Sequence, residues 1–197
     1  MLGFILTDKT IVPTPSSAYR RTVYLDAGDG TLKMMDSNRV SYAISGLGSM
    51  IIKSATQTRT STTTYADDSE LLFAVGQNKD YLFSGKIFFE TGATPDFKIQ
   101  VTVPSSPNLF LMQQHAIAPG ATSYSNIAIQ TATTSTVIAG GAGNGVFEFS
   151  GILRNGSNSG NLAVQWAQNV SDAGNTKVLV GSILEFRQIS GYGLTSP

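Results

Sequence analysis

The sequence predicts an all-β protein: an antiparallel β-sandwich or jelly roll, preceded by an arm that contains a β-hairpin. Three observations lead there. Bulky apolar residues recur at every second position in segment after segment, which is the period of half-buried strands with one face on a core. The stretches between them carry Gly, Pro, Asn, Asp and Ser, the residues that strand reversals require. No segment shows the i, i+3, i+4, i+7 apolar pattern of an amphipathic helix over about eleven residues.

In chain order, the arm comes first, over residues 1–55. Thr22–Asp26 and Thr31–Met35 are β-prone runs flanking Ala-Gly-Asp-Gly30, and they read as a hairpin at about 22–35. So small a hairpin is not stable alone in water, so it must lean on another surface. Ser49–Ala55 is the best candidate for a short helical turn. Residues 54–66 are rich in Thr and Ser and read as a polar linker running into an edge strand.

Residues 56–197 form the predicted jelly-roll domain. Tyr81, Phe83, Ile87 and Phe89 share one parity. Phe97, Ile99, Val101 and Val103 alternate with Lys98, Gln100 and Thr102. Phe147, Phe149 and Leu153 alternate with Glu148, Ser150 and Arg154, and Leu162, Val164 and Trp166 with Ala163, Gln165 and Ala167. Val178, Val180, Leu184 and Phe186 complete the series. The candidate core is therefore Phe83, Phe89, Phe97, Phe147, Phe149, Trp166 and Phe186. Each such side chain contributes about 2 kcal/mol when buried. Seven or eight strands of this kind make a two-sheet sandwich or jelly roll. Both topologies share the alternation, so strand order stays open.

Composition limits the chemistry. Of 197 residues only 13% are charged, and thirteen basic residues balance thirteen acidic ones. A zero balance argues against a nucleic-acid clamp, which needs a clustered positive excess, and it favours self-association. The absence of Cys excludes disulfides, thiolate zinc sites and cysteine nucleophiles. A single His removes most metal and acid–base chemistry. We therefore expect no enzyme, no cofactor and no metal. The six-residue apolar opening is too short for a signal peptide, and no run is long enough to cross a bilayer as a helix. No membrane partner is expected.

Individual motifs read as structural. His115, in Gln113-Gln-His-Ala-Ile-Ala-Pro119, is expected at a strand end or in a loop. The cluster Asp67-Asp-Ser-Glu70 would bind Ca²⁺ only with added backbone oxygens, and reads instead as the solvated beginning of a strand at Leu71–Val75. Asp26-Ala-Gly-Asp-Gly30 lacks the ligand spacing of a calcium loop. Gly140–Gly145 lacks the dinucleotide-binding register and precedes a strand, where a phosphate cradle needs a helix. The sequons at Asn155 and Asn169 read as turns. Arg20-Arg21 is the densest basic spot, too small for a nucleic-acid footprint.

Phe149-Ser-Gly-Ile-Leu-Arg154, Gly160–Gln168 and Val178–Leu184, with Tyr81–Phe89, Thr94-Pro-Asp-Phe97 and Val101-Thr-Val-Pro104, resemble a pattern in structural proteins of tailed bacteriophages. In that group the segment is a tumour-necrosis-factor-like jelly roll that assembles as a trimer. Pro13-Thr-Pro15, Val23–Asp26, Asp29–Lys33 and Asp36 resemble the hairpin that precedes such domains. The resemblance spans about 13–40 and 78–189 and carries over no catalytic residue. It implies a homotrimer in the virion, on the capsid surface more than in the tail. Its expected role is capsid decoration (cement), with the major capsid protein or other virion proteins as partner. Expected contacts are Arg20, Arg21, Tyr24, Asp26, Leu32 and Met34. The alternative is a fibre or receptor-binding adhesin head that holds host glycan or protein.

Overall fold

The computed structural model describes residues 22–25, 32–35, 41–43 and 49–189, the first three segments as strand backbone. The chain divides into two compact units, one formed by residues 1–47 with 191–197 and the other by 48–190. In the first, β1 (Thr22–Leu25), β2 (Leu32–Met35) and β3 (Ser41–Ala43) form a three-stranded antiparallel sheet. Thr22 lies opposite Met35, and Leu25 opposite Leu32.

The second unit is an antiparallel sandwich. Its strands are β4 (Ser49–Ile52), β5 (Gln57–Arg59), β6 (Ala66–Val75), β7 (Asp80–Thr91), β8 (Phe97–Thr102), β9 (Leu109–Ile117), β10 (Ser125–Gln130), β11 (Thr136–Ile138), β12 (Gly143–Arg154), β13 (Gly160–Gln168), β14 (Thr176–Val178) and β15 (Ile183–Gln188). One sheet runs β11-β8-β13-β6. The other runs β10-β9-β12-β7-β14-β5, with β15 between β7 and β4. The pairings are nested: β6 with β13, β7 with β12, β8 with β11, β9 with β10. A long ribbon folded on itself and rolled gives this order, which is the jelly roll.

The core lies between the sheets, where the two apolar parities meet. Phe83, Phe89, Phe97, Phe147, Phe149 and Trp166 are buried, and Phe186 is half-buried. Aromatic pairs cross the sandwich: Phe89 stacks on Phe97 at 4.2 Å, and Phe73 on Phe186 at 3.8 Å. Such pairs add about 0.5–1.5 kcal/mol to their burial. Gly151 is required where β12 passes under Phe83, because a Cβ there would lie 2.6 Å from the ring's Cζ.

The structure corrects several readings. Ser49–Ile52 is a strand, not a helical turn: Ile51 pairs with Leu184, and sheet pairing outweighs weak local propensity. The polar linker is interrupted by β5, which pairs with β14. Residues 178–187 are two strands, because Gly181 turns the chain at φ +85° and leaves Val180 exposed. The glycine run does not end before its strand, since β12 begins at Gly143.

Candidate functional site

Three groups of polar side chains stand out on the sandwich, and the sequence pattern disguised each. The first joins β6 to the 53–55 segment. Lys53 and Asp68 are both fully buried, with Nζ 2.7 Å from Oδ1. Asp68 Oδ1 also accepts the backbone N–H groups of Glu70 (3.0 Å) and Leu71 (3.1 Å), and Oδ2 accepts the Trp166 indole N–H at 3.1 Å. A buried charge persists only when paired and hydrogen-bonded; every lone pair named here is used. Glu70 accepts the N–H groups of Ser54 and Ala55 and lies 3.4 Å from Lys53. Those backbone bonds at Ser54 hold its carboxyl at about 2, against an ordinary 4.5. The Arg59 guanidinium lies over Trp166 at 4.3 Å and donates to the carbonyls of Trp166 and Asp67.

The reading of Asp67–Glu70 as a solvated beginning of a strand therefore holds for exposed Asp67 and Ser69 and fails at Asp68. These residues lie within β6, and Asp68 is turned inward beneath Trp166. Their oxygens serve an ammonium and amides, and among the described residues no three His, Asp or Glu side chains gather to hold a metal. The pair at the centre of this group, Lys53 and Asp68, has no exposure, and its bonds tie β6 to the 53–55 segment and to β13.

The second group lies on the outer face of the larger sheet. Register places Glu148 of β12 opposite Lys86 of β7 and His115 of β9. Glu148 Oε1 is 2.7 Å from Lys86 Nζ, and Oε2 is 2.8 Å from His115 Nε2. The Tyr124 hydroxyl reaches Oε2 at 3.4 Å, and its ring meets the imidazole edge-on at 4.5 Å. Lys86 beside Glu148 holds that carboxyl below the usual range, and Glu148 in turn raises Lys86. His115 thus sits within a strand, not at its end, and has a carboxylate partner that sequence separation concealed. A cation, a carboxylate and an imidazole in one cross-strand row stabilise the sheet face.

The third group spans the open flank between β10 and β11. Gln114 Nε2 donates to Thr136 Oγ1 at 2.6 Å, and Gln130 Nε2 donates to Gln114 Oε1 at 2.7 Å and to Thr136 Oγ1 at 3.3 Å. All three residues are buried. They tie β9 and β10 of one sheet to β11 of the other. An open groove of about 560 Å³ runs over them, lined by Ile127, Ile129, Thr134, Ser135 and Val137.

Of the expected contact residues, Arg20, Arg21 and Asp26 lie outside the described residues. Tyr24, Leu32 and Met34 fall on the backbone of β1 and β2.

No protein-family model matches the chain, and no curated protein matches it. Among solved structures, it is similar to chains of infectious bursal disease virus. The Gt strain structure gives 8% identity and a TM-score of 0.18 over 96% of this chain and 42% of that one. The Gx strain structure gives 9% identity and 0.18 over 95% and 46%. The chain spans less than half the length of those it matches. At such scores the likeness decides neither topology nor role, and the jelly roll stands on the strand pairings themselves.

Proposed function

We propose that this chain is a structural protein of a phage particle, a trimeric decoration protein that binds the capsid lattice through its N-terminal arm and the base of its jelly roll, and that it is not an enzyme. The observation that carries the reading is the division into units. A sheet of four-, four- and three-residue strands belongs to a unit of its own. Three strands are the fewest that hold independently, and then only with an apolar face, so a sheet this small gains from a further surface. A capsid lattice supplies one. Three arms on one trimer multiply a weak contact through effective concentration. The motif resemblance and the sparse, balanced charge support the same reading.

An adhesin head is the second reading, favoured by Tyr124, which is half-exposed in the loop before β10. Mixing the purified protein with undecorated capsids separates the two. The decoration reading expects saturation at fixed lattice positions, and loss of binding with a still-folded β trimer when residues 1–40 are deleted. Absence of binding to capsids, with retention on host cells, overturns it in favour of the adhesin.

A further inference from the structure

From Ile99 to Phe147 the chain contains no Asp, Glu, Lys or Arg; its thirteen basic and thirteen acidic residues all lie elsewhere. The rolled ribbon gathers that span at one place. It supplies β9, β10, β11 and the loops joining them, which together make the flank where the two sheets end side by side.

Among the described residues, this flank is marked as an edge by a shift of register in β10 between Ser125 and Ala128. Strand β10, Ser125-Asn-Ile-Ala-Ile-Gln130, ends its sheet with β9 as its neighbour. It has neither the Lys nor the Pro with which proteins keep an edge strand from pairing with other chains. Ile127 and Ile129 are 71% and 73% exposed, and Val137 of β11 is also exposed. The buried amides of Gln114 and Gln130 are turned to Thr136 beneath the surface. The groove above them adds Thr131, Thr134 and Ser135; the Thr134 hydroxyl donates to the Ala132 carbonyl and that of Ser135 pairs with the Tyr65 hydroxyl.

We propose that this uncharged flank is the face through which copies of the chain meet around their threefold axis; the inference rests on the trimer in the reading above. The occupant is a second copy for two reasons. A residue near a symmetry axis faces its own counterparts, so any charge there would meet its like, which is repulsive. Strands β9, β10 and β11 carry no Asp, Glu, Lys or Arg and satisfy that condition; the cation beside them is Lys98 of β8, opposite Val137 and held over the Tyr65 ring. Conversely, a charged partner finds Lys98 beside Val137 but no cluster of charge here, while the opposite flank carries both signs in Arg59, Asp67 and Glu70.

The natural chain has no Cys, so a single introduced thiol reports its own neighbourhood. Ile129→Cys under mild oxidation at micromolar concentration is expected to give covalent dimers on a non-reducing gel. Val180→Cys, exposed between β14 and β15, is expected to stay uncrosslinked. Light scattering of the Ile127→Lys/Ile129→Lys double variant is expected to show the mass of one chain, with the circular dichroism of a folded β protein. A wild-type chain that scatters as a monomer overturns the trimeric reading itself. A wild-type trimer in which Ile129→Cys does not crosslink, Val180→Cys crosslinks as well, or the double lysine variant stays trimeric overturns the face alone.

Discussion

The two flanks of the sandwich solve the same problem with opposite chemistry. Where β6 meets the 53–55 segment, the sheets are fastened by a buried ion pair, a carboxylate under an indole and a guanidinium over it. Where β10 meets β11, they are fastened by two amides and a hydroxyl, all neutral. A buried ion pair is a stiff but fragile fastening, because removing one partner strands a charge. Neutral hydrogen bonds hold less and fail more gently. Both flanks consume these polar groups internally, one with charges and the other without.

The largest expected effect breaks the charged flank. Asp68→Ala leaves buried Lys53 only the longer contact to Glu70 and Trp166 without an acceptor, and is expected to cost about 3–5 kcal/mol in urea unfolding. The Lys53→Met/Asp68→Asn pair, which removes both charges and keeps an oxygen for the backbone, is expected to lose less than Asp68→Ala alone. At the neutral flank, Thr136→Val removes the acceptor of Gln114 and is expected to cost about 1–3 kcal/mol in the same measurement. If it costs as much as Asp68→Ala, the contrast between the flanks fails.

Acid sharpens the comparison further. Glu70 has a folded value lowered from 4.5 to about 2, so the unfolded chain takes up its proton first as pH falls. Its contribution is complete above pH 4.5 and is lost as pH drops towards about 2. Thermal melts across that window are expected to show a shallower acid decline in Glu70→Gln than in wild type. The smallest expected effect is on the fold of the single chain in Ile127→Lys, within about 0.5 kcal/mol at concentrations too low for assembly, since the side chain is mostly in water.

Much of the fold was legible because Phe, Ile and Val keep strictly to one parity along β8, and the buried aromatic and aliphatic residues do so along β7 and β12, where Leu82, Phe88, Val146 and Ile152 take the other. Legibility stopped where polar residues take inward positions. In β9 the inward set is Phe110, Met112, Gln114 and Ala116, and Gln114 breaks the apolar alternation; Gln130 and Thr136 do the same in β10 and β11. Asp68 misled for a related reason: an acidic run suggests water, and only the fold brings Lys53 and Trp166 to it. His115 and Glu148 have the same history, being neighbours through register between β9 and β12. Gly181 ended a strand whose apolar pattern ran on through it.

The nested pairing also dictates an order of events in time. Only β9 and β10, at the tip of the ribbon, are joined by a short connection; each further pair closes a longer loop, and Asp68 finds Trp166 across 98 residues. Loop closure grows costlier with length, and chains rich in distant contacts fold slowly. Refolding followed by pulsed hydrogen exchange is expected to protect β9 and β10 amides first and β6 and β13 amides last. The uncharged tip is then complete before the charged flank closes, and because Ile127 and Ile129 stay exposed in the finished fold, winding the roll shut does nothing to cover it.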